Sequence, residues 1–93
     1  MYSKQVTVKN PSGLHARPGS DFVNLAAKFN SNIKVFKIDQ PNKVANAKSI
    51  IFVLSLGIKK DTVIEIKAEG LDEIKAVDAL VELVESGFGE LAH

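Results

Sequence analysis

The chain contains no cysteine and no tryptophan, and only 6% of its 93 residues are aromatic. It therefore forms no disulfide and offers no thiolate ligand to a metal. The two histidines, His15 and His93, lie too far apart in the sequence to suggest a metal site. Neither sign of charge predominates, because twelve basic and eleven acidic residues leave a net charge of +1. This balance gives no reason to expect nucleic acid or an anionic membrane as a partner.

Long apolar runs are absent as well. No segment approaches the roughly 20 apolar residues that a membrane-spanning helix needs. The segment Met1–Gln5 lacks the apolar run of a signal peptide, so we expect a cytoplasmic protein without membrane insertion. A chain of 93 residues, of which 45% are hydrophobic, has room for one domain at residues 1–93 with a small core.

Alternation of apolar and polar side chains predicts four strands, and apolar stripes at helical spacing predict three helices. The predicted strands cover residues 2–9, 32–38, 43–47 and 62–68, and the predicted helices lie within residues 16–29, 48–57 and 70–86. Residues 48–57 are apolar enough for a continuous strand. A short helix is favoured there because Ser49 is a good N-cap and Gly57 suits the far end. Asp72 is predicted to cap the last helix. This order predicts an α+β fold, a small antiparallel sheet covered on one face by helices.

The segment Ser12–Pro18 places His15 next to Arg17 where a loop is predicted to become a helix. Proline is tolerated in the first turn of a helix, so the helix begins within a few residues of His15. A helix start offers unpaired backbone N–H groups and a partial positive charge, and both favour an anion. Arg17 adds a permanent cation, and a neutral imidazole is a nucleophile. These residues suit a phosphoryl group on His15, although an isolated pair of this kind is usually just solvated.

Two parts of the sequence, Gly13–Pro18 and Lys48–Ile50 followed by Ser55–Ile58, closely resemble motifs of the HPr family. These are the histidine-containing phosphocarrier proteins of the bacterial phosphotransferase system for sugar uptake. The resemblance extends over essentially the whole chain, including its length and the order of its predicted elements. It implies an open-faced β-sandwich, in which four antiparallel strands carry three helices on one face.

The resemblance also implies a role. In this family, enzyme I transfers a phosphoryl group from phosphoenolpyruvate to the histidine, and the carrier passes it to the A domains of the enzyme II permeases. His15 would accept the group on Nδ1, and Arg17 would stabilise it with the backbone N–H groups of Ala16 and Arg17. The protein would then be a carrier and not an enzyme, with no cofactor and no metal. An exposed site suits a carrier, because both partners have to reach it.

Ser49 matches the serine that an HPr serine kinase/phosphorylase modifies in some members of the family. The resemblance implies that phosphoserine there lowers phosphoryl acceptance by the histidine and promotes binding to a catabolite control protein, a transcription factor. A phosphate at this position would repel enzyme I from a nearby docking surface. The alternative is a plain N-cap serine, whose removal would cost about 1 kcal/mol.

The predicted partner surface combines the start of the first helix with the exposed side of the short helix. Exposed aliphatic side chains next to a charged site are typical of a transient docking surface. Val53 and Leu56 are expected in the core instead. The residues assigned to the partner surface are Ser20, Ile50, Ile51 and Leu54.

The chain departs from the family pattern at several positions. Gly19 and Ser20 replace the common alanine and threonine, which predicts a looser helix start. The turn at residues 39–42 is longer than usual, Phe52 enlarges the apolar surface, and the tail at residues 91–93 receives no role. We expect a monomer, although Phe52 and the long turn leave room for self-association.

Two other functions remain open at this point. One is a regulatory binding module that no longer carries phosphate, but the presence of His15 argues against it. The other is a small ligand-binding domain, which would need a pocket of convergent polar groups. The sequence shows no such set.

Overall fold

A computed structural model describes residues 1–90. The tail at residues 91–93, which includes His93, lies outside this range. The elements follow in the order β1 (Tyr2–Thr7), α1 (Ala16–Ala26), β2 (Asn32–Lys37), β3 (Ala45–Asn46), α2 (Ile50–Ser55), β4 (Val63–Glu69) and α3 (Glu73–Glu85). A single 3-10 turn at Gly87–Gly89 follows α3. Of the helices formed within residues 1–90, none has the length and apolar character needed to traverse a bilayer.

The four strands form one antiparallel sheet in the order β1-β4-β2-β3. Side chains alternate between its faces, so Ile64, Ile66 and Ala68 of β4 are buried while their neighbours along the strand are not. Helix α3 packs across β1 and β4, and α1 packs against α3 and α2. This arrangement confirms the predicted open-faced α+β sandwich, with one face of the sheet covered by helices and the other open.

The core lies between the sheet and the helices. Phe22 of α1 and Leu80 of α3 are fully buried in it, as the predicted apolar stripes require. Leu25 and Phe29, which follow Phe22 at helical spacing, are only partly buried and pack against the core. Burial of such side chains supplies most of the free energy that holds a small domain together, at about 25 cal/mol per Å² of apolar surface.

Several predicted helices and strands were longer than the observed ones. Helix α1 ends at Ala26. Turns follow it as far as Phe29, where we predicted helix. Strand β3 is two residues long, because only Ala45 and Asn46 pair with β2 at this edge of the sheet. Residues 50–55 form a helix, which settles the choice between helix and strand in that segment.

Asp72 does not cap α3 as predicted. It occupies the N-cap position, but its side chain makes no capping hydrogen bond. Its carboxylate instead accepts hydrogen bonds from the backbone N–H of Asn30 at 2.8 Å, the backbone N–H of Ser31 at 2.9 Å and the Ser31 hydroxyl. The hydroxyl of Ser31, followed by the backbone N–H of Asn30, holds the pKa of Asp72 below its ordinary value. Asp72 therefore joins the start of α3 to the segment before β2.

Candidate functional site

The loop between β1 and α1 is held against the segment before β4. The backbone N–H of Val8 donates to Thr62 at 2.8 Å, and that of Leu14 donates to Ile58 at 3.1 Å. Gly13 has a φ of +61°, and a Cβ atom at this position would lie 2.3 Å from the carbonyl oxygen of Ile58. Glycine is required here both for the backbone conformation and for this close approach. The loop that leads into α1 is therefore anchored one residue before His15.

A carboxylate far along the chain also anchors this loop. Glu90 accepts hydrogen bonds from the side-chain amide of Asn10 at 3.0 Å, the backbone N–H of Ser12 at 3.2 Å and the hydroxyl of Ser12 at 3.0 Å. Asn10 is fully buried and also donates to the carbonyl of Gly13 at 2.9 Å. The amide of Asn10, ahead of the contacts from Ser12, lowers the pKa of Glu90 below its ordinary value. The contact of Glu90 could not be predicted from the sequence, because nothing local relates this residue to a loop about 80 residues earlier.

His15 occupies the N-cap position of α1, with an extended backbone at φ −116° and ψ 162°. Its side chain makes no capping hydrogen bond and is partly exposed, so the imidazole is not used to close the helix end. The first hydrogen bond of the helix runs from the N–H of Gly19 to the carbonyl of His15, at 3.5 Å. The N–H groups of Ala16 and Arg17 precede that bond, and Pro18 has none. Two backbone donors thus lie at the helix end, in the two residues that follow His15.

Ala16 has a φ of +52°, which is unusual for a residue with a side chain. The left-handed conformation costs an alanine roughly 1–2 kcal/mol, so this backbone is strained. The strain lies directly after His15, at the first residue of α1. Strained residues of this kind cluster at functional sites, where surrounding contacts hold them in place.

Arg17 is exposed in the first turn of α1. Within residues 1–90 the ion pairs join the Met1 amino group to Glu73 and Lys4 to Asp78, so no described carboxylate neutralises the guanidinium. Arg17 is therefore a cation that an incoming anion can meet at the same helix end as His15. In the same part of the chain, no three histidine, cysteine, aspartate or glutamate side chains converge in a way that could hold a metal ion.

Helix α2 lies next to the start of α1. A Cβ at the buried Gly19 would lie 2.8 Å from the carbonyl oxygen of Leu14 and 3.2 Å from Cδ2 of Leu54. The glycine that was expected to loosen the helix start thus permits this close packing. Ile51 is 74% exposed, Phe52 59% and Leu54 37%.

Of the other two predicted partner residues, one is exposed and one is half-buried. Ser20 is exposed, whereas Ile50 is half-buried and packs against the core. Val53 and Leu56 are buried, as the sequence predicted. The structure therefore places an apolar surface, with Phe52 as its added aromatic residue, beside the helix that begins after His15.

Ser49 lies at the N-cap position of α2, with φ −113° and ψ 112°. Its backbone N–H donates to Asn46 and its carbonyl accepts from Val53, each at 3.0 Å. Its hydroxyl makes no capping hydrogen bond, so the prediction that this side chain caps the helix is wrong. Ser49 is half-buried, and its hydroxyl is not committed to the helix end.

Comparison with known proteins identifies the family. A family model described as the PTS HPr component phosphorylation site matches residues 2–86. A crystal structure of HPr from Thermoanaerobacter tengcongensis is 48% identical, with a TM-score of 0.92 over 99% of this chain and 100% of that one. Crh of Bacillus subtilis, a catabolite repression protein seen as a domain-swapped dimer, is 34% identical, with a TM-score of 0.71 over 94% of this chain and 97% of Crh.

Curated relatives include larger proteins. The multiphosphoryl transfer protein of Vibrio cholerae is 45% identical over 83 residues, which make up 89% of this chain and 21% of that protein. The chain thus spans about a fifth of the length of the curated relatives that it matches. Together with the match over residues 2–86 and the shared fold, these similarities show that the chain belongs to the HPr family of phosphocarrier proteins of the phosphotransferase system.

Proposed function

We propose that the protein carries a phosphoryl group on Nδ1 of His15, accepting it from enzyme I and passing it to enzyme II A domains. One observation carries this assignment: His15 occupies the N-cap position of α1 without a capping role for its imidazole, and the N–H groups of Ala16 and Arg17 precede the first hydrogen bond of the helix. Backbone donors and a helix dipole favour the anion that would form there.

The chemistry requires positioning and charge stabilisation more than proton transfer. The neutral imidazole attacks phosphorus through the lone pair of Nδ1 as the bond from phosphorus to the donor breaks, and that electron pair stays with the donor. Arg17 then pairs with the phosphoryl oxygens. The reverse set of bond changes releases the group to the next acceptor, so the carrier is regenerated and acts without a cofactor or a metal.

The partner surface is proposed to consist of Ser20, Ile50, Ile51 and Leu54. The exposure of Ile51 and Leu54 beside α1 supports it, because a transient interface needs apolar area close to the reacting group. We propose further that residues 1–93 act as one domain in the cytoplasm and as a monomer. Because Crh forms a swapped dimer, self-association is the alternative to the proposed monomer.

Ser49 is proposed as a regulatory phosphorylation site for an HPr serine kinase/phosphorylase, with a catabolite control protein as the partner of the modified form. Two observations support this: the hydroxyl is not used for capping, and the similar protein Crh is named for catabolite repression. A phosphate there would place about two negative charges next to Ile50, within the proposed docking surface.

Incubation with enzyme I and phosphoenolpyruvate tests the carrier role. The expected result is an acid-labile mass gain of one phosphoryl group in the unmodified chain and none in His15→Ala. Arg17→Gln should accept the group more slowly, whereas Lys75→Gln, an exposed change of the same charge on α3, should not. A gain that persists in His15→Ala would refute the assignment.

A parallel incubation with the serine kinase and ATP tests regulation. An acid-stable phosphate is expected on the unmodified chain and not on Ser49→Ala. The modified chain should then accept phosphate from enzyme I more slowly. Acid-stable phosphate that remains in Ser49→Ala would show that the modified residue lies elsewhere.

A further inference from the structure

The open face of the sheet, opposite the helices, carries a cavity that the carrier function does not use. The cavity encloses ≈ 530 Å³, a volume within the range of small-molecule sites. Its lining includes Asn32, Lys34, Phe36, Val44, Lys48 and Lys67. Three of these side chains are cationic, although the whole chain has a net charge of only +1. The cavity is thus a local concentration of positive charge on a nearly neutral protein.

Two of these lysines are directly opposed. Lys34 of β2 pairs with Lys67 of β4 in the register of the sheet, and the same row continues to Ser3 on one side and Asn46 on the other. Like charges directly opposite each other on one sheet face are destabilising. Neither ammonium group forms an ion pair with a carboxylate among residues 1–90. The sheet therefore bears a repulsion that an anion between the two side chains would relieve.

The acidic residues nearby cancel this charge only in part. Glu65 and Glu69 lie two positions to either side of Lys67 on β4, and Glu69 also lines the cavity. Glu65 accepts a hydrogen bond from the side-chain amide of Gln5 at 3.3 Å. The third cation, Lys48, lines the cavity and donates to the carbonyl of Phe29 at 2.6 Å. Three lysines against Glu69 leave an excess of positive charge along the lining.

An aromatic ring adjoins the lysine pair. The ammonium of Lys67 lies 5.7 Å from the centroid of the Phe36 ring, and Phe36 is half-buried on the open face. Val44, which is 47% exposed, adds an aliphatic side chain to the same wall. A planar base can stack on such a wall, while a phosphate lies between the lysines. An ammonium group next to an aromatic ring suits a ligand that has an anionic end and a flat, apolar end.

We propose that this cavity binds a nucleoside phosphate, with its phosphates between Lys34 and Lys67 and its base against Phe36 and Val44. The site is separate from His15, which lies at the start of a helix on the covered side of the sheet, and binding does not depend on phosphoryl transfer. The ligand class follows from the charge excess and the aromatic wall together, because either feature alone would suit a simpler molecule.

Titration of the ¹⁵N-labelled chain with adenosine diphosphate, followed by NMR, tests the proposal. Amide shifts should be centred on residues 32–36 and 66–69. Adenosine and pyrophosphate, which each supply half of the ligand, should bind at least about tenfold more weakly. Equal binding of pyrophosphate would overturn the role of the aromatic wall. Shifts centred on His15, or none at all, would overturn the site.

Charge variants provide the matched control. Lys34→Gln combined with Lys67→Gln should weaken binding of adenosine diphosphate at least about tenfold, since both phosphate contacts are lost. Lys28→Gln combined with Lys75→Gln removes the same charge from two exposed positions, one in the turn after α1 and one on α3, and should leave binding unchanged. The first pair should also unfold at no lower temperature than the original chain, because it removes a like-charge contact. Equal weakening by both pairs would show attraction by net charge alone and would refute the site.

Discussion

Replacing Gly13 by alanine should destabilise the protein and displace His15. Gly13 combines a φ of +61° with a Cβ position 2.3 Å from the carbonyl oxygen of Ile58. Gly57 offers a matched control, because its φ is +64° but a Cβ there has no neighbour within 4 Å. Both substitutions therefore incur the left-handed backbone cost of roughly 1–2 kcal/mol. Only the change at Gly13 also forces neighbouring atoms apart.

The additional cost at Gly13 can be worked from the contacts. The new methyl group has to push Ile58 away, and overpacking of this kind costs about 1–3 kcal/mol. The hydrogen bond from the N–H of Leu14 to the Ile58 carbonyl, 3.1 Å long, would break as well, which costs about 0.5–1.5 kcal/mol. We therefore expect Gly13→Ala to lower the free energy of unfolding by about 2–4 kcal/mol more than Gly57→Ala.

Urea unfolding followed by circular dichroism measures this difference, provided that the slopes of the two transitions agree. Acceptance of phosphate from enzyme I should also slow in Gly13→Ala and stay near normal in Gly57→Ala. Equal destabilisation by the two substitutions would refute the close approach to Ile58. Normal acceptance in a folded Gly13→Ala would refute the view that this anchor positions His15.

Three further predictions concern single polar groups. The lowered pKa of Asp72 means that its contribution to stability is present above about pH 4 and is lost as the pH falls through the folded-state pKa, so Asp72→Asn should reduce the acid sensitivity of the urea midpoint. Ser49→Ala should change the free energy of unfolding by less than about 0.5 kcal/mol, because the hydroxyl makes no capping bond. Glu90→Gln should speed hydrogen exchange at the backbone N–H of Ser12, which loses a charged acceptor.

Two of these predictions have a control in the chain. Asp61→Asn changes an exposed aspartate for which no carboxylate contact is seen among residues 1–90, so it should leave the acid sensitivity unchanged. Glu85→Gln serves in the same way for hydrogen exchange, since Glu85 is exposed at the end of α3. A loss near 1 kcal/mol in Ser49→Ala would mean that the hydroxyl caps α2 in solution.

The local sequence pattern was sufficient to predict an element wherever buried and exposed side chains alternate with a regular period. The alternation of Ile64, Ile66 and Ala68 predicted β4 to within one residue at each end, because a half-buried strand has to repeat every two residues. The motif at Ser12–Pro18 likewise predicted that α1 begins within a few residues of His15, since Pro18 is confined to the first turn, and the helix begins at Ala16. The role of His15 as phosphoryl acceptor stays a prediction.

Contacts between distant segments could not be predicted from the local sequence pattern. The sequence predicted that Asp72 would bond to its own helix, but its carboxylate meets the N–H groups of Asn30 and Ser31 once the two segments pack together. Glu90 and Asn10 are separated by 80 positions, and no periodicity relates them. Residues such as Ser49 have the right type for a cap, yet the local backbone decides whether the hydroxyl reaches an N–H group.

The strand order has a consequence for the way in which this chain folds. Within residues 1–90, β1 lies at one edge of the sheet and its neighbour is β4, so residues 2–7 wait for residues 63–69 before they can pair. Closure of so long a loop is entropically costly and slows folding. A nascent chain on the ribosome would therefore keep its first strand unpaired until most of the domain has emerged from the exit tunnel.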